Sequence, residues 1–179
     1  YQNPIHIYGD NGYETCIKFS LPSFDLSLLT SDLIIDPQLT WATLYGGSGV
    51  DGFTSIADDM SGNVFVTGYT YSPDFPLQNS GSFYQGIFGE EFDAFILKFD
   101  NTGSWLWATY YGGSSDDYGT SIITDGSGNV FLTGYTASSN FPLQNWGSFY
   151  QGASGGGYDA FILKFDNSGN RLWATYYGG

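Results

Sequence analysis

The chain contains very few basic residues, and this scarcity restricts its partners. Four Lys and Arg residues stand against eighteen Asp and Glu residues, which gives a formal net charge of −14. A surface this acidic repels phosphate backbones and anionic lipid headgroups. We therefore expect neither nucleic-acid binding nor insertion into a membrane, whereas divalent cations suit such a charge.

Cysteine, histidine and long apolar runs are equally scarce. Cys16 is the only cysteine, so no disulfide can form within the chain. His6 is the only histidine, and nothing in the sequence places it beside Cys16. No apolar run is long enough to cross a membrane as a helix, and no signal peptide is recognisable. We predict that the protein is not an enzyme, that it has no catalytic residue, and that the sequence is a processed product or a piece of a longer protein.

Helical periodicity is nearly absent, whereas aromatic residues and glycine are abundant. Aromatics make up 20% of the chain, and there are 26 glycines. Aromatic side chains favour the half-buried surface of a pleated sheet, and glycine supplies the left-handed positions of tight turns. This composition predicts an all-β protein.

A long internal repeat dominates the sequence. Trp-Ala-Thr-(Leu/Tyr)-Tyr-Gly-Gly begins at Trp41, Trp107 and Trp173, a constant period of 66 residues, and residues 41–106 and 107–172 agree at 45 of 66 positions. A fixed long period is typical of repeat architectures. We divide the chain into 1–38, the tail of an upstream β-module; 39–106 and 107–172, two blade repeats; and 173–179, the first strand of a further repeat or a closing strand.

Each repeat predicts four short antiparallel strands. In the second copy they cover residues 118–124, 130–136, 159–165 and 171–177, separated by Asp-x-x-Gly turns and one long aromatic connection, 137–158. Alternation places Phe95, Leu97 and Phe99 on one face of their strand and Ile96 and Lys98 on the other. Strands that are apolar on both faces indicate a sheet between other sheets. The predicted fold is a β-propeller-type blade, in an incomplete propeller or a fragment.

Five blocks that occur twice in the same order carry a family resemblance. In the second copy they include Ser-Gly-Asn-Val-Phe-Leu-Thr-Gly-Tyr-Thr, Gly-Tyr-Asp-Ala-Phe-Ile-Leu-Lys-Phe and Trp-Ala-Thr-Tyr-Tyr-Gly-Gly. They resemble the SBBP-type bacterial β-propeller repeat over residues 41–179. The resemblance implies a long, multidomain protein that is extracellular or on the bacterial cell surface, and it supplies no enzymatic residue.

Carboxylates beside Gly-rich loops have two interpretations. They are turn caps, which we favour, or ligands of Ca²⁺, which takes six to eight oxygens. The candidate metal ligands are Asp51, Asp59, Asp116, Asp117 and Asp125.

Some aromatic residues of the repeats are candidates for stacking on sugar rings. The alternative for such residues is a place in the core of a blade. The candidate ligand-binding residues are Tyr69, Tyr84, Trp146 and Tyr150, among which Trp146 is notable because its counterpart in the first repeat is Ser80.

Before the repeats, Asn11-Gly12 between two β-type runs predicts a hairpin that covers the edge of the first blade. Taken together, the sequence predicts a structural or adhesive scaffold whose aromatic and acidic loops contact a partner protein, a glycan or other copies of the chain. Two alternatives stay open: a calcium-dependent, lectin-like module, and a non-catalytic arm of a large secreted enzyme.

Overall fold

A computed structural model describes residues 6–8, 14–16 and 39–178. The chain divides into two compact units, Tyr1–Gln38 and Leu39–Gly179. In the first unit, β1 (His6–Tyr8) pairs with β2 (Glu14–Cys16) in an antiparallel hairpin, with Ile7 opposite Thr15. The predicted hairpin is confirmed, while its Asn-Gly turn lies outside the described residues, and its covering of a blade edge stays a prediction.

The second unit contains two four-stranded antiparallel sheets, each built in chain order. Sheet 1 consists of β3 (Asp51–Asp58), β4 (Val64–Thr70), β5 (Asp93–Phe99) and β6 (Trp105–Tyr111). Sheet 2 consists of β7 (Asp117–Thr124), β8 (Val130–Thr136), β9 (Asp159–Phe165) and β10 (Arg171–Tyr177). The predicted strands of the second repeat are confirmed, with β7 beginning one residue earlier. The two sheets do not close into a ring, and the predicted fold class of an incomplete propeller is confirmed.

Short turns at one end of the sheets determine these strand boundaries. After β7, the Asp125 carboxylate accepts hydrogen bonds from the N–H groups of Ser127 (2.9 Å) and Asn129 (3.0 Å). Gly128 takes the left-handed conformation, with φ of 74°, that lets the chain reverse. Because the same turn chemistry follows β3, β5 and β9, all four hairpins have a defined register.

The two sheets pack face to face, which explains why β5 is buried along its whole length. Phe95, Leu97 and Phe99 belong to a hydrophobic cluster within sheet 1. Ile96 points the other way, into a second cluster shared with Phe161 and Phe165 of sheet 2. The predicted alternation is confirmed. The identical sequence in β9 buries only one of its faces well, because no further sheet within residues 39–178 covers the other.

Two irregular segments lie against these sheets. The long connections 71–92 and 137–158 fold back on the outer strands, where Gln78 bridges to Ala108 and Gln144 to Ala174. Residues 41–47, although they carry the repeated Trp-Ala-Thr motif, are not part of a strand. They pack on sheet 1 through Trp41, whose ring centroid lies 5.7 Å from that of Phe99.

Candidate functional site

Six aromatic rings form a continuous row across the end of the two sheets at which β4 ends and β7 begins. Neighbouring ring centroids are 4.9–5.6 Å apart, and the row crosses from sheet 1 to sheet 2 at Tyr69 and Tyr118, 5.3 Å apart. We call this row the aromatic stripe. In order, its members are Tyr71, Phe92, Tyr69, Tyr118, Tyr135 and Tyr158.

Strand register builds the aromatic stripe. Tyr118, the second residue of β7, lies directly opposite Tyr135 of β8, and the two rings stack at 4.9 Å. Phe92 and Tyr158 directly precede β5 and β9 and therefore lie at the same end of the sheets. Cross-strand aromatic pairs of this kind stabilise a sheet by about 0.2–1 kcal/mol each. The stripe is thus part of the fold as well as part of the surface.

Three members of the aromatic stripe are exposed to solvent: Tyr71 by 43%, Tyr135 by 41% and Tyr158 by 58%. Asp116 lies beside Tyr158, and its carboxylate accepts a hydrogen bond from the Tyr158 hydroxyl at 2.8 Å. That hydrogen bond raises the pKa of Tyr158, and burial together with the charge of Asp116 raises the pKa of Tyr118 to about 12. The raised pKa values keep Tyr118 and Tyr158 neutral at physiological pH, and Tyr158 lies next to a carboxylate.

Two carboxylates at this end, one buried and one half-buried, hold the Gly-Gly loops. Asp117 accepts hydrogen bonds from Gly113 N–H (2.6 Å) and the Ser138 hydroxyl (2.9 Å). Asp51 makes the corresponding contact with Gly47 N–H at 2.8 Å in the first repeat. Because these bonds fix backbone N–H groups of the loops, the two carboxylates have a structural role in this arrangement.

Asp93 was not among the residues predicted from the sequence, yet it is the least satisfied carboxylate of this region. It is fully buried, and among the residues that the structure describes only one of its oxygens has a partner, Gly89 N–H at 2.7 Å. Asp93 and Asp117 both approach Gly112, where an added Cβ would meet an oxygen of each within 2.6 Å. Burial raises the pKa of Asp93 to about 7, and the nearby charge of Asp117 adds to the rise.

The structure does not bring the five predicted metal ligands together. Asp51, Asp116 and Asp117 lie at the end of the sheets that carries the aromatic stripe, whereas Asp59 and Asp125 lie in the turns at the opposite end. A strand of eight residues separates the two ends by about 25 Å. Within residues 39–178 and the two described N-terminal strands, no group of three or more His, Cys, Asp or Glu side chains is placed to hold a metal ion.

The four predicted ligand-binding aromatics also separate. Tyr69 belongs to the aromatic stripe, where it is partly buried. Tyr84 and Tyr150 occupy equivalent places in the two long connections, with 42% and 39% of their surfaces exposed. Trp146, in the second connection, is 75% exposed. The sequence signal that would have found the rest of the stripe is the recurrence of aromatic residues next to the same strand ends.

The register of the N-terminal hairpin contains one relationship that the sequence did not predict. The backbone of His6 lies directly opposite that of Cys16.

Regarding membranes, none of the described segments is a helix long and apolar enough to cross a bilayer.

Comparisons with known proteins agree with this architecture. The profile of a family described as a β-propeller repeat, SBBP, matches residues 40–76 and 106–142. An uncharacterized WD repeat-containing protein of Acanthamoeba polyphaga mimivirus is 27% identical over 137 residues, which cover 68% of this chain and 9% of that relative. The chain therefore spans less than a tenth of the relative's length. The SBBP profile thus matches the chain twice, once at the start of each of its two repeats.

Proposed function

We propose that this chain is a non-enzymatic, extracellular repeat scaffold that uses the aromatic stripe to bind a partner protein. One observation carries the proposal: a row of six aromatic rings, five of them tyrosines, spans both sheets, and its exposed Tyr158 lies next to the carboxylate of Asp116. Tyrosine is enriched in the residues that dominate protein–protein binding energy, because it combines a large rigid ring with a polar tip. The repeat family and the WD-repeat relative support a scaffold.

The charge of the chain indicates the chemistry of the partner. A net charge of −14 attracts a basic surface, and the negative faces of the tyrosine rings bind Arg and Lys side chains by about 0.5–2 kcal/mol each. Asp116 adds a carboxylate at the exposed end of the aromatic stripe. The partner surface we expect therefore presents arginine or lysine to the stripe.

Selection from a displayed peptide library on the immobilised full chain tests this function. We expect the selected peptides to contain Arg or Lys, and their affinity to fall at least about tenfold when Tyr135 and Tyr158 are both changed to Ala, the size expected for removing an interface hot spot. The matched control is Tyr84→Ala with Tyr150→Ala, two similarly exposed tyrosines outside the aromatic stripe. Equal losses in the two double variants would contradict the proposal.

A glycan array probed with and without a calcium chelator separates the main alternative, a calcium-dependent lectin-like module. Binding of a glycan that disappears in chelator, together with no selected peptide, would replace the scaffold proposal with the lectin. The extracellular localisation, which rests on the family resemblance, is tested separately by fractionating the source cells and detecting the protein in each fraction with an antibody.

A further inference from the structure

The face of sheet 1 that packs on sheet 2 carries six side chains that recur on the equivalent face of sheet 2, and we call this face of each sheet the downstream face. In sheet 1 this face packs on sheet 2, and all six residues are buried. They are Phe65, Thr67, Ala94, Ile96, Trp107 and Tyr111, and their counterparts 66 residues later are Phe131, Thr133, Ala160, Ile162, Trp173 and Tyr177.

The downstream face of sheet 2 has the same six side chains as the covered face of sheet 1, but no sheet within residues 39–178 packs on it. Tyr111 is fully buried, whereas Tyr177 is 67% exposed. Ile96 is fully buried, whereas Ile162 is 38% exposed. Thr54 of sheet 1 donates to the carbonyl of Gly119 in sheet 2 at 2.6 Å, while its counterpart Thr120 lies on the exposed surface. The junction between the two sheets thus shows what kind of surface fits there.

We propose that the downstream face of sheet 2 discriminates between blades, and that a blade which packs on it must have glycine at the position of Gly119. A Cβ added to Gly119 would lie 2.2 Å from the hydroxyl oxygen of Thr67 across the junction. Real Cβ atoms essentially never approach another atom so closely. Glycine at this position is therefore a requirement of the junction between two blades.

The threonine on the other side cannot turn away without losing a hydrogen bond. The Thr67 hydroxyl donates to the carbonyl of Phe95 at 2.7 Å within sheet 1. In sheet 2, the Thr133 hydroxyl donates to the carbonyl of Phe161 at 2.8 Å in the same way. The Thr133 oxygen therefore has the same orientation on sheet 2 as the Thr67 oxygen has on sheet 1. A blade that packs on sheet 2 meets the Thr133 oxygen at the position where Gly119 meets that of Thr67.

A second copy of this chain does not satisfy the requirement. The upstream face that such a copy offers belongs to sheet 1, where Phe53 occupies the position of Gly119, and its ring packs at 5.6 Å from that of Phe95. Residues 41–47 also cover part of that face, with the Tyr45 hydroxyl donating to Pro76 at 2.6 Å. The bound blade is accordingly of the second-repeat type, and head-to-tail stacking of copies of the chain is disfavoured.

Extending the chain by one repeat tests this inference. Residues 173–179 repeat residues 107–113, so a copy of residues 114–179 appended after Gly179 continues the pattern. Hydroxyl-radical footprinting then reads the exposure of Tyr177. We expect its labelling to fall to the level of Tyr111 in the extended chain, and to stay at the level of the parent chain when Gly119→Phe is introduced into the added copy.

Equal labelling of Tyr177 in the two extended chains would overturn the inference, whether Tyr177 is protected in both or in neither. Hydrogen exchange of the added strands checks that the phenylalanine version folds, as sheet 1 does with Phe53. If the phenylalanine version does not fold, a second pair of variants tests the inference. Gly119→Ala in the added copy should leave Tyr177 labelled, and combining it with Thr133→Ala, which removes the clashing oxygen, should restore protection. Failure of that rescue would also overturn the inference.

Discussion

Tyr111 of sheet 1 donates its hydroxyl to the carbonyl oxygen of Pro142 in the long connection of sheet 2, at 2.6 Å. Its ring packs on Phe141, with 5.1 Å between centroids. Tyr45 makes the same two contacts with Pro76 and Phe75, at 2.6 Å and 5.3 Å. Residues 41–47 therefore pack on sheet 1 in the same way as β6 packs on sheet 2, which indicates that a single docking geometry repeats along the chain.

The hydroxyl of Tyr111 should contribute measurably to the junction between the sheets. Tyr111→Phe removes the hydrogen bonds to Pro142 and from Arg171, and we expect the free energy of unfolding to fall by about 1 kcal/mol. Tyr177→Phe is the matched control, because that residue is mostly exposed and should change stability by less than about 0.5 kcal/mol. Urea denaturation measures both. A larger effect at Tyr177 would mean that the junction has been placed at the wrong strand.

Asp59 should act as a turn cap and not as a calcium ligand. Its carboxylate accepts hydrogen bonds from Ser61 N–H, Asn63 N–H and the Asn63 side-chain amide, at 2.7–2.9 Å. Asp59→Ala should lower the free energy of unfolding by about 1–2 kcal/mol, equally in calcium and in chelator. The exposed neighbour Asp58 provides the control, Asp58→Ala. Stabilisation of the parent chain by calcium that is lost in Asp59→Ala would restore the metal interpretation.

Stability should fall as the pH rises from about 4 to 7. Burial raises the pKa of Asp93 to about 7 and that of Asp117 to about 6, from the usual 3.8. Between the usual pKa of 3.8 and these raised values, the folded chain binds more protons than the unfolded chain, so the free energy of unfolding decreases with increasing pH. The stabilisation is complete below pH 4 and lost above pH 7.

The variant Asp93→Asn should flatten this dependence, as measured by urea unfolding at a series of pH values. Asp125→Asn serves as the control, because hydrogen bonds from Asn129 and from the turn lower the pKa of Asp125 to about 2, so that its titration falls outside this range. A slope that persists unchanged in Asp93→Asn would show that another group is responsible.

Deleting residues 173–179 should destabilise sheet 2. The deletion removes most of β10, which pairs with β9, and it also removes the partners of Gln144 and Gln151 in the long connection. We expect a lower melting temperature and faster proteolysis within residues 137–158, since this connection loses its attachment to the sheet. Deleting only residues 178–179 is the control. Unchanged melting of the longer deletion would show that β10 does not pair within the chain.

The strands could be predicted closely because local signals define both of their ends. In the second repeat, the Asp125 and Asp166 turns enclose runs of alternating apolar residues, and turn chemistry of this kind is encoded within about five residues. The folding back of the long connection was also foreseeable, since its aromatic residues need a surface to cover.

The aromatic stripe and the separation of the acidic residues could not be predicted in the same way. Tyr118 meets Tyr69 only because sheet 2 stacks on sheet 1, a contact between residues 49 positions apart that no local pattern encodes. Asp51 and Asp59 are close in sequence but lie at opposite ends of β3, because an extended strand separates them. Likewise, β5 and β9 have identical sequences, and their different burial depends on the neighbouring sheet.

Footprinting of the unmodified chain tests whether equivalent strands of the two repeats form a covered face in sheet 1 and an exposed face in sheet 2. Tyr111 and Tyr177 occupy the same repeat position in the same local sequence, so their intrinsic reactivity is matched. We expect strong protection of Tyr111 and ready labelling of Tyr177, in keeping with exposures of 0% and 67%. Equal labelling of the two tyrosines in the monomeric chain would contradict it.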